Sequence, residues 1–240
     1  MSPELLRFPH VWRGSEIAAV RTPGIATGFS DLDRELPGGG WPGGAVTEIL
    51  CPRTGIGELQ LVLPALSRLS GKGRRQIWIA PPHRVYAPAL LQARIDLPGV
   101  IVVDAARRRD MLWAAEQALR SAACGAVLVW PAAVGDPRPL QYAEVRRLQI
   151  AVEASETIAF LFRPEAESAQ SSAAALRLAL ASADCTRLAV HILKRRGAGL
   201  ETALLIDARR AALPDQDHVM AGYSFPASPA RINIAGELLS

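Results

Sequence analysis

Lysine is almost absent from this chain. Of its 27 basic residues only Lys72 and Lys194 are lysines, so arginine carries the positive charge. With the many alanines and prolines, that bias points to a GC-rich genome and not to a special chemistry. Cysteine is scarce as well. Cys51, Cys124 and Cys185 stand far apart, with no CxxC pair and no Cys/His spacing suited to zinc. This argues against a disulfide framework or a zinc module and leaves free thiols in a reducing compartment. Aromatic residues make up only 5% of the chain, which is poor provision for stacking bases of a single strand. No apolar run is long enough to span a bilayer. The opening MSPELLRFPHVW lacks the apolar stretch of a signal peptide. A soluble, cytoplasmic protein is the expectation, with no cofactor, no metal and no membrane partner.

What is present is enough apolar material for a sizeable core. Half of the 240 residues are hydrophobic, which suits one domain or at most two. The formal charge of +4 permits contact with nucleic acid or an acidic protein. From residue 45 onward, short apolar runs alternate with helical patterns. Strands are predicted at Ala45–Leu50, Gln76–Ala80, Val100–Val103, Ala126–Trp130, Ile158–Phe162, Arg187–Leu193 and Ala203–Ile206. Helices are predicted at Glu58–Leu69, Ala87–Arg94, Arg109–Ala122 and Leu140–Ala154. An earlier helix lies within Thr27–Leu36, capped by Ser30 or Asp31, and a short one is read near Ser15–Val20. This alternation predicts an α/β fold with a mostly parallel sheet flanked by helices. The last two runs suit an antiparallel hairpin at the sheet edge. Glu165–Ser182, rich in Ala, Ser, Glu and Gln, reads as a mobile loop or a weak helix. Leu213–Ser240 reads as an extended tail, either flexible or partner-binding, with Tyr223, Phe225 and RINIAGELL as its apolar anchors.

The stretch AVTEILCPRTGIGELQ carries the clearest signal. A strand, a Pro/Gly turn and a helix start form the context of a phosphate-binding loop. Gly55 and Gly57 permit the tight turn. A working loop needs a Lys for the phosphates and a Ser or Thr for Mg²⁺, yet Glu58 and Leu59 stand there, and Pro52 removes one backbone donor. Two further losses agree. The strand AVLVW ends at Trp130 and Pro131 where a metal-binding acid belongs, and Asp136 is several residues on, where capping a turn suits it better. At the end of the second core strand, Pro81–Pro82 stands where a water-polarising Glu belongs. His83 beside it is a weak candidate base.

These motifs resemble the RecA ATPase core. TGFSDLDRELPGGGWPGGAVTEILCPRTGIGE matches the run before and through its nucleotide loop, and the register can be followed to about Asp207. The runs LPGGGWP, GIGE, IAPPH…YAPAL and WAAEQALRSAACGAVL resemble most closely the ImuA family, a degenerate RecA-like branch. The resemblance implies residues 1–26 as an N-terminal extension, 27–212 as a RecA-like core with a degenerate nucleotide loop, and 213–240 as the tail. It implies a non-catalytic adaptor in SOS-induced error-prone translesion DNA synthesis. Its partners would be ImuB, RecA and the cassette polymerase, with weak nonspecific DNA binding. A second resemblance is to SulA-type division inhibitors, RecA-like and nucleotide-free, which bind the tubulin-like division GTPase. A residual ATPase is the third reading. The RecA family places a basic pair where Lys194 and Arg196 stand. That pair with Arg195, the run Arg107, Arg108 and Arg109, and the anchors Trp12 and Phe225 are the candidate partner or DNA contacts. Arg74/Arg75, Arg146/Arg147 and Arg209/Arg210 join them if they converge on one face. Trp78 and Trp130 are assigned to the core, and Trp41 to an exposed turn or a sheet edge.

Overall fold

The computed structural model of the protein describes residues 23–184, 186–196, 202–208 and 229–234. The segment near Ser15–Val20, together with Trp12, Phe225, Tyr223, Cys185, Arg209 and Arg210, lies outside the described residues. The elements in chain order are α1 (Ser30–Glu35), β1 (Ala45–Cys51), α2 (Glu58–Gly71), β2 (Arg75–Ile79), α3 (Ala87–Gln92), β3 (Val100–Ala105) and α4 (Arg108–Arg120). There follow β4 (Cys124–Val129), α5 (Tyr142–Glu153), β5 (Ile158–Pro164), β6 (Leu176–Ser182), β7 (Arg187–Lys194), β8 (Leu204–Asp207) and β9 (Ala230–Ile234). None of the described helices is long and apolar enough to cross a membrane.

The result is a mixed α/β structure with one nine-stranded sheet, ordered β8-β7-β6-β1-β5-β4-β2-β3-β9. β1 through β6 and β9 pair in parallel; β7 pairs antiparallel with β8, as the hairpin pattern predicted, and also with β6. The chain runs outward from β1 to β2 and β3, then returns through β4 and β5 to the side of β1. Side chains alternate across the sheet. Phe160 and Phe162 of β5 join α1, α2 and α3 in one core, whereas Ala159 and Leu161 join α4 and α5 in the other. The carboxyl ends of β1, β5, β4 and β2 frame the crevice where open parallel sheets bind ligands.

Four expectations need correction. First, Leu176–Ser182 is a strand, not a loop or weak helix. Leu176, Leu178 and Leu180 alternate into the larger core, a period-2 pattern masked by the Ala- and Ser-rich stretch before it. Second, α1 is capped at Phe29 and not at Ser30 or Asp31. The chain turns one residue early because the Asp33 carboxylate accepts the Thr27 N–H at 2.8 Å. Third, Trp41 is fully buried, edge-on to Phe160 at 5.1 Å between ring centres. An antiparallel bridge to Ile25 pulls it inward. Fourth, residues 230–234 of the segment read as a tail form β9, which is pinned to β3 by an Arg231–Asp104 bond of 2.8 Å.

One polar cluster holds the middle of the sheet. Glu48 on β1 is wholly buried, and Arg163 of β5 and Arg177 of β6 both pair with its carboxylate. Arg177 Nε donates to Glu48 Oε2 at 2.6 Å and the Ser172 hydroxyl donates to Oε1 at 2.8 Å. The guanidiniums then gather the chain beyond β5. Arg163 Nε donates to Glu167 at 2.7 Å, and Arg177 Nη1 donates to the carbonyls of Gln170 and Ser168 at 2.9 and 3.2 Å. Two arginines and two glutamates leave no net charge inside. Removing one member uncovers the others in low dielectric. We predict that Glu48→Gln lowers unfolding stability in urea by about 3–5 kcal/mol. Asp31→Asn, which breaks the exposed Arg34–Asp31 pair, should leave the urea midpoint where it was.

Candidate functional site

The crevice at the carboxyl ends of β1, β2, β4 and β5 holds a cleft of about 230 Å³, with Cys51, Thr54, Glu58, Pro82, Trp130 and Phe162 among its walls. It is built where a phosphate loop belongs, and its chemistry differs from one. After β1 the chain turns through Gly55 and Gly57 with φ of 85° and 111°, in the left-handed region. These turns aim the amides of both glycines inward, as a phosphate cradle requires.

The acceptor in that cradle is Glu58. Gly55 N–H donates to Glu58 Oε1 at 2.8 Å and to Oε2 at 3.1 Å, and Gly57 N–H donates to Oε2 at 3.1 Å. The side chain is folded back over the first turn of α2 and is 4% exposed. A carboxylate at a helix N-terminus also meets the positive end of the helix dipole. Glu58 therefore both repels phosphate and occupies the donors that would hold it. Leu59 packs against the apolar core in place of a metal-binding hydroxyl. The residues here do not fit a nucleotide phosphate.

The floor of the cleft is aromatic. Trp130 stacks on Phe162 with 4.7 Å between ring centres and 8° between planes, and Trp78 tilts against Trp130 at 5.7 Å. Trp78 and Trp130 are buried, as their strand positions predicted. Trp130 is thus a core residue just beyond the carboxyl end of β4. At the end of β2, Ala80 takes a positive φ of 50° and turns the chain into Pro81. Pro82 and His83 both lie exposed beyond it. Asp136 caps its own turn by accepting the Arg138 N–H at 3.0 Å, and the Arg138 and Arg108 guanidiniums hold its carboxyl well below the usual range. Among the described residues, no group of three His, Cys, Asp or Glu side chains forms a metal cluster.

The basic runs are dispersed. In the first, Arg107 and Arg109 are exposed, while Arg108 is largely buried and salt-bridged to Asp136 and Glu144, each at 3.1 Å. In the second, Lys194 Nζ donates to the Ser172 carbonyl at 2.8 Å and Arg195 bonds Glu35 at 3.0 Å, so both tie β7 to the rest of the fold. Arg196 is exposed. Arg74 and Arg75 stand at the amino end of β2 and Arg107–Arg109 beyond the carboxyl end of β3, so these two clusters do not meet on one face, whereas Arg146 and Arg147 lie on α5 beside α4. Residues that sequence reasoning passed over are Glu48, Arg163, Arg177 and Phe162. The signal for three of them was there: a lone charge inside each of the apolar runs TEIL, FLFRP and LRLAL.

Residues 44–159 match the SulA family model, described as cell division inhibitor SulA. The segment runs from the turn before β1 to the start of β5 and contains the loop, Glu58 and Trp130. Three curated proteins named cell division inhibitor SulA are similar to this chain. That of Pectobacterium atrosepticum is 29% identical over 123 residues, covering 51% of this chain and 70% of the relative. That of Pectobacterium carotovorum subsp. carotovorum is 28% identical over the same length and the same shares. That of Edwardsiella piscicida is 33% identical over 108 residues, covering 45% of this chain and 61% of the relative. These matches overturn the ImuA resemblance. GIGE, IAPPH…YAPAL and WAAEQALRSAACGAVL all fall inside the SulA match. ImuB, RecA and the polymerase as partners, and the role in DNA repair and translesion synthesis, fall with it.

Two predictions follow from this geometry. Glu58→Ala strips the Gly55 and Gly57 amides of their acceptor, which should cost about 1–3 kcal/mol and speed hydrogen exchange at both amides. Unchanged exchange there would contradict the cradle. Burial pushes the Cys51 thiol up to about 12, with the Glu58 and Glu165 charges adding to it, and the Cys124 thiol up to about 11, both from 9.0. The protonated thiols favour the native state below the unfolded value, and that preference is lost as pH rises through the folded values. At mildly alkaline pH a Cys185→Ser chain should therefore resist thiol labelling until it unfolds.

Proposed function

We propose that this chain is a SulA-type cell division inhibitor that acts by binding, without chemistry of its own, on the tubulin-like GTPase of the division machinery. The observation that carries the reading is the SulA match over residues 44–159. The geometry supports it. The matched segment contains a loop whose donors are taken by Glu58 and a strand that ends in Trp130 instead of an acid. Such a site presents a fixed surface and turns over no nucleotide. The parallel strand order and the loop after β1 further support a RecA-like scaffold, with residues 27–212 as its core. Residues 1–26 are read as an extension of it, and residues 213–240 as a segment that returns β9 to the edge of the sheet beside β3.

A binder without catalysis inhibits by occupancy. Titrating the purified chain into the purified division GTPase should lower GTP hydrolysis in proportion to the amount added, levelling near equimolar ratio. Its expression in a rod-shaped bacterium should give filaments without septa. Normal division together with unaltered GTP hydrolysis would overturn the reading.

A further inference from the structure

The outward surface of α4 and α5 lies across the sheet from α2 and its loop, and the proposed function makes no use of it. On α4, Arg109, Trp113, Glu116 and Arg120 fall at i, i+4, i+7 and i+11 along one outward face; Arg109, Trp113 and Arg120 are exposed, and Glu116 is largely buried against Arg147. Solvated stripes are ordinarily polar, yet Trp113 is 51% exposed at the centre of this one. Ile150 of α5 is equally exposed. The two helices are joined by an Arg147–Glu116 pair at 2.6 Å. Trp113 precedes Glu116 by one turn and Ile150 follows Arg147 by one turn, so two apolar anchors flank the bridge.

Charge surrounds them. Arg146 pairs loosely with Glu153 at 3.8 Å. Arg109 and Arg120 are exposed and have no carboxylate partner among the described residues. They stand roughly 16 Å apart along α4, the rise of eleven helical residues. An apolar centre with unpaired cations at both ends is the complement of an amphipathic helix whose apolar stripe is edged by carboxylates. Nucleic acid fits less well, because the exposed Glu153 carboxylate would face its phosphates and Glu116 already neutralises Arg147. We propose that the α4–α5 face docks an acidic amphipathic helix of a partner protein, with Trp113 and Ile150 as apolar anchors and Arg109 and Arg120 receiving its carboxylates.

The test is a fluorescence titration of the full chain with a peptide of roughly 20 residues, leucine at helical spacing and glutamate elsewhere. A scrambled peptide of the same composition is the control. Saturable binding that weakens with added salt is expected, falling about tenfold with the scrambled peptide, with Arg109→Glu/Arg120→Glu, and with Trp113→Ala. Arg84→Glu, in the exposed turn after β2, should leave the affinity unchanged, and far-UV circular dichroism checks that each variant is folded. No saturable binding by the wild-type chain overturns the proposal. So does equal affinity for the scrambled peptide or in the double variant, or tighter binding of single-stranded DNA that the double variant loses.

Discussion

The buried Glu48 carboxylate is the constraint on which the rest of the structure depends. It lies on β1, the strand from which the chain departs outward and beside which it returns, and the guanidiniums of both neighbouring strands converge on it. A charge in that position is costly unless every partner is present. The segment between β5 and β6 therefore has to close over the cluster with its own carbonyls and with Ser172. That closure sets the register of β6, and β6 carries the antiparallel hairpin that completes one side of the sheet. Arg163 also lines the crevice, so the same cluster braces the wall of the candidate site.

Within that frame the loop after β1 keeps the geometry of an anion cradle and fills it from inside. The left-handed glycines aim the amides, and a carboxylate acceptor there gives charge-assisted hydrogen bonds that hold the turn. In a nucleotide-binding protein the ligand provides it. Here Glu58 does, and the aromatic stack of Trp78, Trp130 and Phe162 occupies the ground beneath. The loop is thereby held in one state without a ligand. The loop lies within the segment that matches the SulA family model.

Much of this was legible in the chain. Apolar runs of strand length separated by helical periods placed β1 to β5, β7 and β8 within a residue or two. The missing Lys and Ser/Thr, the Trp130 terminus and the Pro81–Pro82 turn marked a loop without the side chains a phosphate site uses. What could not be seen was long-range. The period-2 run of β6 was masked by the Ala- and Ser-rich stretch before it, and the partner of its Arg177 lies 129 residues away on β1. The inward turn of Glu58 was invisible because a carboxylate beside glycines reads first as a repulsive charge. Trp41 was misplaced because a Gly-rich neighbourhood suggests exposure, while its edge contact with Phe160 depends on the folded sheet. The choice of family went wrong as well. The runs that carried the resemblance lie largely within residues 44–159, which match the SulA family model.

The central claim is that recognition here needs no nucleotide because the loop provides its own anion. The most direct measurement is the affinity of the purified chain for the division GTPase, taken with and without Mg-ATP. The account predicts binding of equal strength in both conditions. Binding that appears only with ATP, or no binding in either condition, would contradict it.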